Sequence, residues 1–367
     1  MFYLLIIWLT LPSARSWDQT MRLCGENRMA IEQAVAELPW EKQEDIVWIL
    51  NRLPQGDLTC LSPELISHWI IYPETAQILY SWSQPVDDEI WRNYVLFPRF
   101  SQEPLEDYRP WFYRQLGELV DTCSDLVSAV NTIHSWATEV VKFKPTQRRD
   151  QGPLETYAFG YGRCEELMIF NGSACRTFGI PVRQAFAPYW AFTDNNHAWT
   201  EVYVDGKWQY IGVSGNTTLN QSWFSDHTKR TSIIVAISPE DTFSSDVLYT
   251  NRGISLINST ANYAPTAKIN VQITFNSQPV DSATVSFAVF NWGGFREILK
   301  LFTDSKGKVS VDLGLTSVWI MARKDNNYGY QIYTPSGSIS ESLTIELQTN
   351  LEIDTAVFML VPPLKND

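Results

Sequence analysis

The sequence predicts an α+β chain in parts: a helical region over 17–149, a mixed core over 150–230, a linker with irregular strands over 231–262 and a β-sandwich domain over 263–362. Three observations carry this division. Apolar residues recur at helical spacing up to about residue 145. Period-two alternation sets in from Ala267. Between them, one strong helix pattern is flanked by alternating strands.

In the helical region, Met29, Ile31, Val35 and Leu38, then Ile46, Ile49 and Leu50, fall on helix faces. Asn51-Arg-Leu-Pro-Gln-Gly-Asp57 interrupts the pattern. Ser62-Pro63-Glu64 marks a new start, with Pro at the first helical position. Residues 116–136 read as one further helix, with His134 at the surface or partly packed. The polar stretch 142–153 marks the boundary to the core. In the last part Ile269, Val271 and Ile273 alternate with polar residues. Short strands follow at 285–290, 309–313, 318–322, 328–333 and 343–347. Turn-prone breaks such as Asn276-Ser-Gln-Pro279 and Asp304-Ser-Lys-Gly307 separate them, which is the spacing of a small sandwich. It holds no catalytic constellation.

Hydrophobic residues make up 44% and charged residues 19% of 367, so the chain can bury a core and is not globally disordered. A formal charge of −13 argues against nucleic acid and anionic membrane surfaces as partners. Residues 2–11 form an apolar run ended by Pro12, with small Ala14 and Ser16 beyond it. This is the pattern of a signal peptide cleaved near Ser16, and it predicts a secreted or lumenal protein. The run is too short to span a bilayer. Sequons at Asn171, Asn216, Asn220 and Asn258 are candidate N-glycosylation sites. The cysteines are Cys24, Cys60, Cys123, Cys164 and Cys175. In an oxidising compartment disulfides are expected, and the odd count leaves one free thiol or an intermolecular bridge. Cys24 and Cys60 lie in the same helical region and can pair. Cys164 has a chemical reason to stay free.

That reason is its position. Phe159-Gly-Tyr-Gly-Arg163 leads into Cys164, and a helix begins there. Leu167, Met168, Phe170, Ala174 and Phe178 form its buried stripe, and Gly179 followed by Pro181 ends it. A Cys at a helix N-terminus meets unpaired backbone amides and the positive end of the dipole. Both favour a thiolate and suit an oxyanion. Glu165 and Glu166 fit the first turn but work against the thiolate. The competing reading of a lone Cys is a structural core residue. His197 opens the alternating strand His197-Ala-Trp-Thr-Glu-Val-Tyr-Val204, and Asp205-Gly206 is a two-residue hairpin turn. That turn sets the register: Val204 opposite Lys207, Trp199 opposite Gly212, His197 opposite Ser214. Tyr161, Tyr189 and Trp190 are candidates for a substrate groove, with core packing as the rival reading. Trp199 reads as core, and His68 and His227 as surface or packing residues.

Taken in order, Gly162-Arg-Cys-Glu-Glu166, Gly179-Ile-Pro-Val-Arg-Gln184, Asn196-His-Ala-Trp-Thr-Glu-Val-Tyr203 and Gly206-Lys-Trp208 resemble the transglutaminase-like superfamily, which has a papain-type Cys–His core. The resemblance runs over about 150–225. Asp150-Gln-Gly-Pro-Leu-Glu155 and Leu219-Asn-Gln-Ser-Trp-Phe224 are similar to an extracytoplasmic branch known mainly from bacteria. In that branch a helical region precedes the core and a β-domain follows. The resemblance implies Cys164 as nucleophile and His197 as base. It does not supply the third member. The usual Asp falls on Gly212, and the later acidic positions of the branch fall on Ser214 and Gly215. Ser214, Asp194 or a backbone carbonyl is left to orient the imidazole. The implied activity is a thiol amide hydrolase, peptidase or acyltransferase acting on peptide or glutamine-type amides through a Cys164 thioester. Because the orienting acid is missing, the alternative is a weak or inactive binding protein for peptide or glycan. Peptide N-glycanases share the core, but this chain lacks their paired Cys-x-x-Cys zinc motif. No metal or other cofactor is expected, and the oligomeric state is not legible.

Overall fold

The computed structural model describes residues 15–83, 85–146, 149–212, 218–239, 246–251, 253–349, 358 and 360. Its helical region contains Trp17–Leu23, Arg28–Ala36, Trp40–Leu50, Pro63–Leu79, Arg109–Val120 and Leu126–Val140. Ser62 caps the fourth of these, its hydroxyl accepting from the Leu65 amide at 3.2 Å. The single helix expected over 116–136 is in fact two. Asp125 accepts from the Ser128 amide at 2.8 Å and starts a second helix, although the apolar rhythm runs across the break. His134 is not a surface residue. It lies on the inner face of that helix with Val130, Ile133 and Ala137.

The first helices bury a cluster of their own around Ile31, Ile46, Leu50 and Trp69. The later ones join the central core with Phe112, Leu116 and Ile133. Two buried arginines fasten this region to the Cys164 helix. Arg109 donates to the Arg176 carbonyl at 2.7 Å, and Arg176 donates to the carbonyls of Phe97 and Arg99 at 2.6 and 2.8 Å.

The central sheet has six antiparallel strands in the order Lys207–Ile211, His197–Val204, Val182–Ala187, Val235–Ser238, Ile254–Asn258, Val247–Asn251. Helix Cys164–Thr177 packs on its first strands. The hairpin has the register its turn predicts, from Val204 opposite Lys207 to Thr200 opposite Ile211. Asp205 and Gly206 both have positive φ, 51° and 75°, as the tight turn requires. The strands expected in 231–262 are not those of a linker, since three of them belong to this sheet. Their Ser and Thr residues hid the pattern: Ser238 and Ser255 are buried, and Thr250 and Ser255 share a hydrogen bond across the last pair.

The sandwich is present as two four-stranded sheets. In one, Thr266–Phe275 lies between antiparallel Lys308–Gly314 and parallel Ser340–Glu346, with Gln278–Pro279 in a tight hairpin. The other runs Gly294–Phe302, Thr284–Asn291, Val318–Lys324, Asn327–Tyr333. Ile269, Val271, Val285, Phe287 and Ile320 fill the space between them. Strand Gly294–Phe302 had no clear sequence signal. A bulge within it, at Ile298 opposite the Phe287–Ala288 step, breaks the period-two count.

The sandwich is docked on the central sheet through backbone. The Gly314 amide donates to the Ser232 carbonyl at 2.8 Å, and Asn258 donates to the Asp312 carbonyl at 2.7 Å. A Cβ on Gly314 would lie 1.9 Å from the Thr231 carbonyl oxygen. Gly314→Ala is therefore expected to cost about 1–3 kcal/mol, read from the urea midpoint, because the two units must separate to admit a methyl group.

All five cysteines are free, so the expected disulfides are absent. Cys24 is fully buried with its thiol donating to the Thr20 carbonyl, whereas Cys60 is exposed, so the two do not pair. No described helix is long and apolar enough to cross a membrane.

Candidate active site

Cys164 is the first residue of its helix and is buried. Gly160, at φ 72°, ends the preceding helix Pro153–Phe159, and the two-residue strand Tyr161–Gly162 delivers the chain to the site. A polar cluster fixes the helix start. Glu166, fully buried, accepts from the Arg163 amide at 2.7 Å and from the Thr146 hydroxyl at 2.9 Å. Arg163 pairs with Asp150 at 2.5 Å and with Glu166 at 3.3 Å. Burial outweighs the pull of Arg163 and raises the Asp150 carboxyl to about 6.

The Cys164 sulfur lies between two kinds of group. Its thiol meets the Glu165 carboxylate at 3.2 Å. The backbone amides of Ala198 and of Glu165 pull its pKa down. Burial, and after it the Glu165 charge, push the thiol well above its ordinary range, and the two amides only partly offset them. The dipole argument from sequence therefore does not decide the resting state. Cys164 rests as a thiol.

His197, the first residue of its strand, is also buried. Its ring lies 4.8 Å from the rings of Trp223 and of Phe224 and stacks on Trp199 at 5.8 Å. Burial, reinforced by His227, lowers it to about 3, so the imidazole is neutral at physiological pH. Its Nε2 is buried without a hydrogen-bond partner, and no hydrogen bond joins it to Cys164.

The orienting candidates fare differently. Ser214, with the Asn216 sequon, lies outside the described residues. Asp194 does not face His197: it is exposed, and its carboxylate accepts from the Trp292 amide at 2.6 Å. Of the groove candidates, Trp190 is core, 1% exposed and stacked on Trp199 with an interplanar angle of 3°. Tyr189 packs against the sandwich core. Tyr161 remains partly exposed three residues before Cys164, with Lys144 over its ring at 4.3 Å. Asn171 is no glycan acceptor, because it is buried inside the Cys164 helix and donates toward the Thr200 hydroxyl at 3.4 Å. Asn258 is half-buried and spends its amide on Asp312. Asn220 is exposed, though its amide bonds to Gln209.

Two residues of the site were missed. His227 lies beside Trp190, Phe192 and Trp223, with ring centroids at 5.7, 5.0 and 5.4 Å, and acts on the charge of His197. Trp223, 53% exposed, lies against both imidazoles. Their nearness to the Leu219–Phe224 motif was the available signal.

Residues 114–212 match the model of the transglutaminase-like superfamily. Among solved structures, a Cytophaga hutchinsonii protein assigned as a cysteine protease aligns at 17% identity over 50% of this chain and 68% of its own, with a TM-score of 0.31. Red sea bream transglutaminase aligns at 10% identity over 67% of this chain and 58% of its own, with a TM-score of 0.30. A streptococcal ancillary pilin aligns at 7% identity over 46% and 62%, with a TM-score of 0.21. A comparison with curated proteins gives no match. The matched segment contains both Cys164 and His197, and this chain carries a transglutaminase-like superfamily domain over residues 114–212.

Proposed function

We propose that the chain is a cysteine-dependent amide hydrolase or acyltransferase acting on peptide or glutamine-type amides, with Cys164 as nucleophile and His197 as base. The observation that supports it most is the placing of Cys164 at the first position of a helix packed on the strand that His197 opens, both inside the segment that matches the transglutaminase-like model. In this reading the thiol gives its proton to the neutral imidazole as the sulfur bonds to the substrate carbonyl carbon. The carbonyl electron pair moves onto oxygen, and nearby backbone amides stabilise that charge. Collapse breaks the C–N bond, the imidazolium returns the proton to the leaving nitrogen, and a thioester remains. Water or an amine then attacks it, releasing the thiol. A resting thiol with a neutral imidazole fits proton transfer in step with attack, not a standing ion pair. Nothing marks an amine-acceptor site, so hydrolysis is the favoured outcome.

A second reading, a binding protein for peptide or glycan, is supported by one observation: among the described residues no carboxylate bonds to His197, and the thiol and imidazole are not hydrogen-bonded. Turnover of a peptide and glutaminyl-amide library separates the two. Cleavage or transfer that Cys164→Ala reduces to background is expected. A wild-type chain that binds library members and turns none over would leave the binding reading. The apolar run at 2–11 supports secretion, which the medium of expressing cells tests.

A further inference from the structure

The loop that ends at His197 is held by a side chain from the other unit. Asn291 is the last residue of sandwich strand Thr284–Asn291 and is fully buried. Its amide Nδ2 donates to the carbonyls of Trp190, Thr193 and Asn195 at 2.9, 2.8 and 3.3 Å. Within the loop, Trp190 donates to the Asn195 carbonyl at 3.0 Å and Asn195 to the Thr193 carbonyl at 2.8 Å. The next sandwich residue, Trp292 at φ 52°, donates its amide to Asp194 at 2.6 Å. One side chain thus gathers three carbonyls of a loop whose last anchored residue stands two positions before His197.

Plain packing between units does not call for this. Gly314 on Ser232 and Asn258 on Asp312 already dock the sandwich elsewhere along the sheet. The loop also carries Trp190, which lies against His227 and stacks on Trp199, and Trp199 in turn stacks on the His197 imidazole. Moving the loop moves the wall of the imidazole pocket.

We infer that Asn291 is a positioning residue for His197, so that the β-sandwich is a working part of the Cys–His site. The inference rests on reading His197 as part of that site, but its test does not depend on turnover. The full chain has four histidines, and His197→Gln identifies the His197 ring resonance among them. Asn291→Leu keeps the size and removes the donors. Ile320→Val, in the sandwich core, serves as a destabilised control. In Asn291→Leu the His197 titration should rise from its buried value toward 6.5 by about one pH unit or more, as the pocket loosens. Ile320→Val should leave it unchanged. A His197 resonance and titration in Asn291→Leu identical to wild type would overturn the inference, as would an equal change in the control. If Asn291→Leu does not fold, Asp194→Ala decides. It is a surface change that frees only the Trp292 amide, and a smaller shift in the same direction is expected. No shift in that variant overturns the inference. A catalytically silent protein that shows the expected shifts would count against the proposed activity and leave the positioning role standing.

Discussion

Glu201→Ala is expected to destabilise the fold by about 3–5 kcal/mol, because it strips the partner from a buried charge. Glu201 sits on the His197 strand, directly opposite Arg183, and the two are 1% and 5% exposed at their side chains. They pair at 2.5 Å. The second carboxylate oxygen accepts from the Tyr263 hydroxyl at 2.7 Å, and that hydroxyl accepts from the Trp199 indole at 2.8 Å. Arg183 also reaches the Ser259 hydroxyl at 2.8 Å and lies over Trp208 at 4.2 Å. In the alanine variant the guanidinium stays in place, shielded from water, with only a hydroxyl and a ring face to meet it. Replacing both partners by apolar residues removes the stranded charge, so Arg183→Met with Glu201→Leu should recover much of the loss. Urea unfolding followed by circular dichroism gives both numbers. A loss under about 1 kcal/mol for Glu201→Ala would mean that water reaches this pair.

The second large effect concerns reactivity. Glu165→Gln should speed iodoacetamide alkylation of Cys164 at pH 7–8, by about tenfold for each unit that the thiol pKa falls. The variant removes the negative charge 3.2 Å from the sulfur and keeps the two backbone amides that stabilise a thiolate. In the wild type the direction is opposite: burial and Glu165 raise the thiol, so thiolate accumulates only in alkaline solution and alkylation is slow at neutrality. His197, lowered to about 3, is already neutral across this range, so the wild-type profile should rise with pH and show no step near 6.5. Superimposable profiles for the two proteins would eliminate Glu165 as the brake. A step near neutrality would show an ion pair that burial does not allow.

Local signals were enough for the parts of the site that local chemistry sets. Asp205-Gly206 fixed the hairpin, and with it the side of the sheet on which His197, Trp199 and Glu201 stand together. Gly179 and Pro181 bounded the helix that Cys164 starts. What failed depended on contacts between distant segments. Asp194 read as an orienting acid because nothing near it in sequence shows that Trp292 claims its carboxylate. Trp190 read as a groove candidate for the same reason: the groups that enclose it come from Trp199 and the sandwich. The thiolate expectation overlooked burial, which outweighs a helix dipole when the sulfur is closed off from water. The strands at 235–258 read as irregular parts of a linker because buried serines took the places where apolar residues were sought.

The clamp on the 190–195 loop has a consequence for where the chain can be cut. The central sheet takes its last strand from the segment ending at Asn258, with His197 in the sheet and Cys164 on the helix packed against it, whereas the clamp comes from Asn291. The fastening of the loop thus lies more than thirty residues beyond the last strand of the sheet it serves, and a chain cut after Asn258 would keep those strands and lose the clamp.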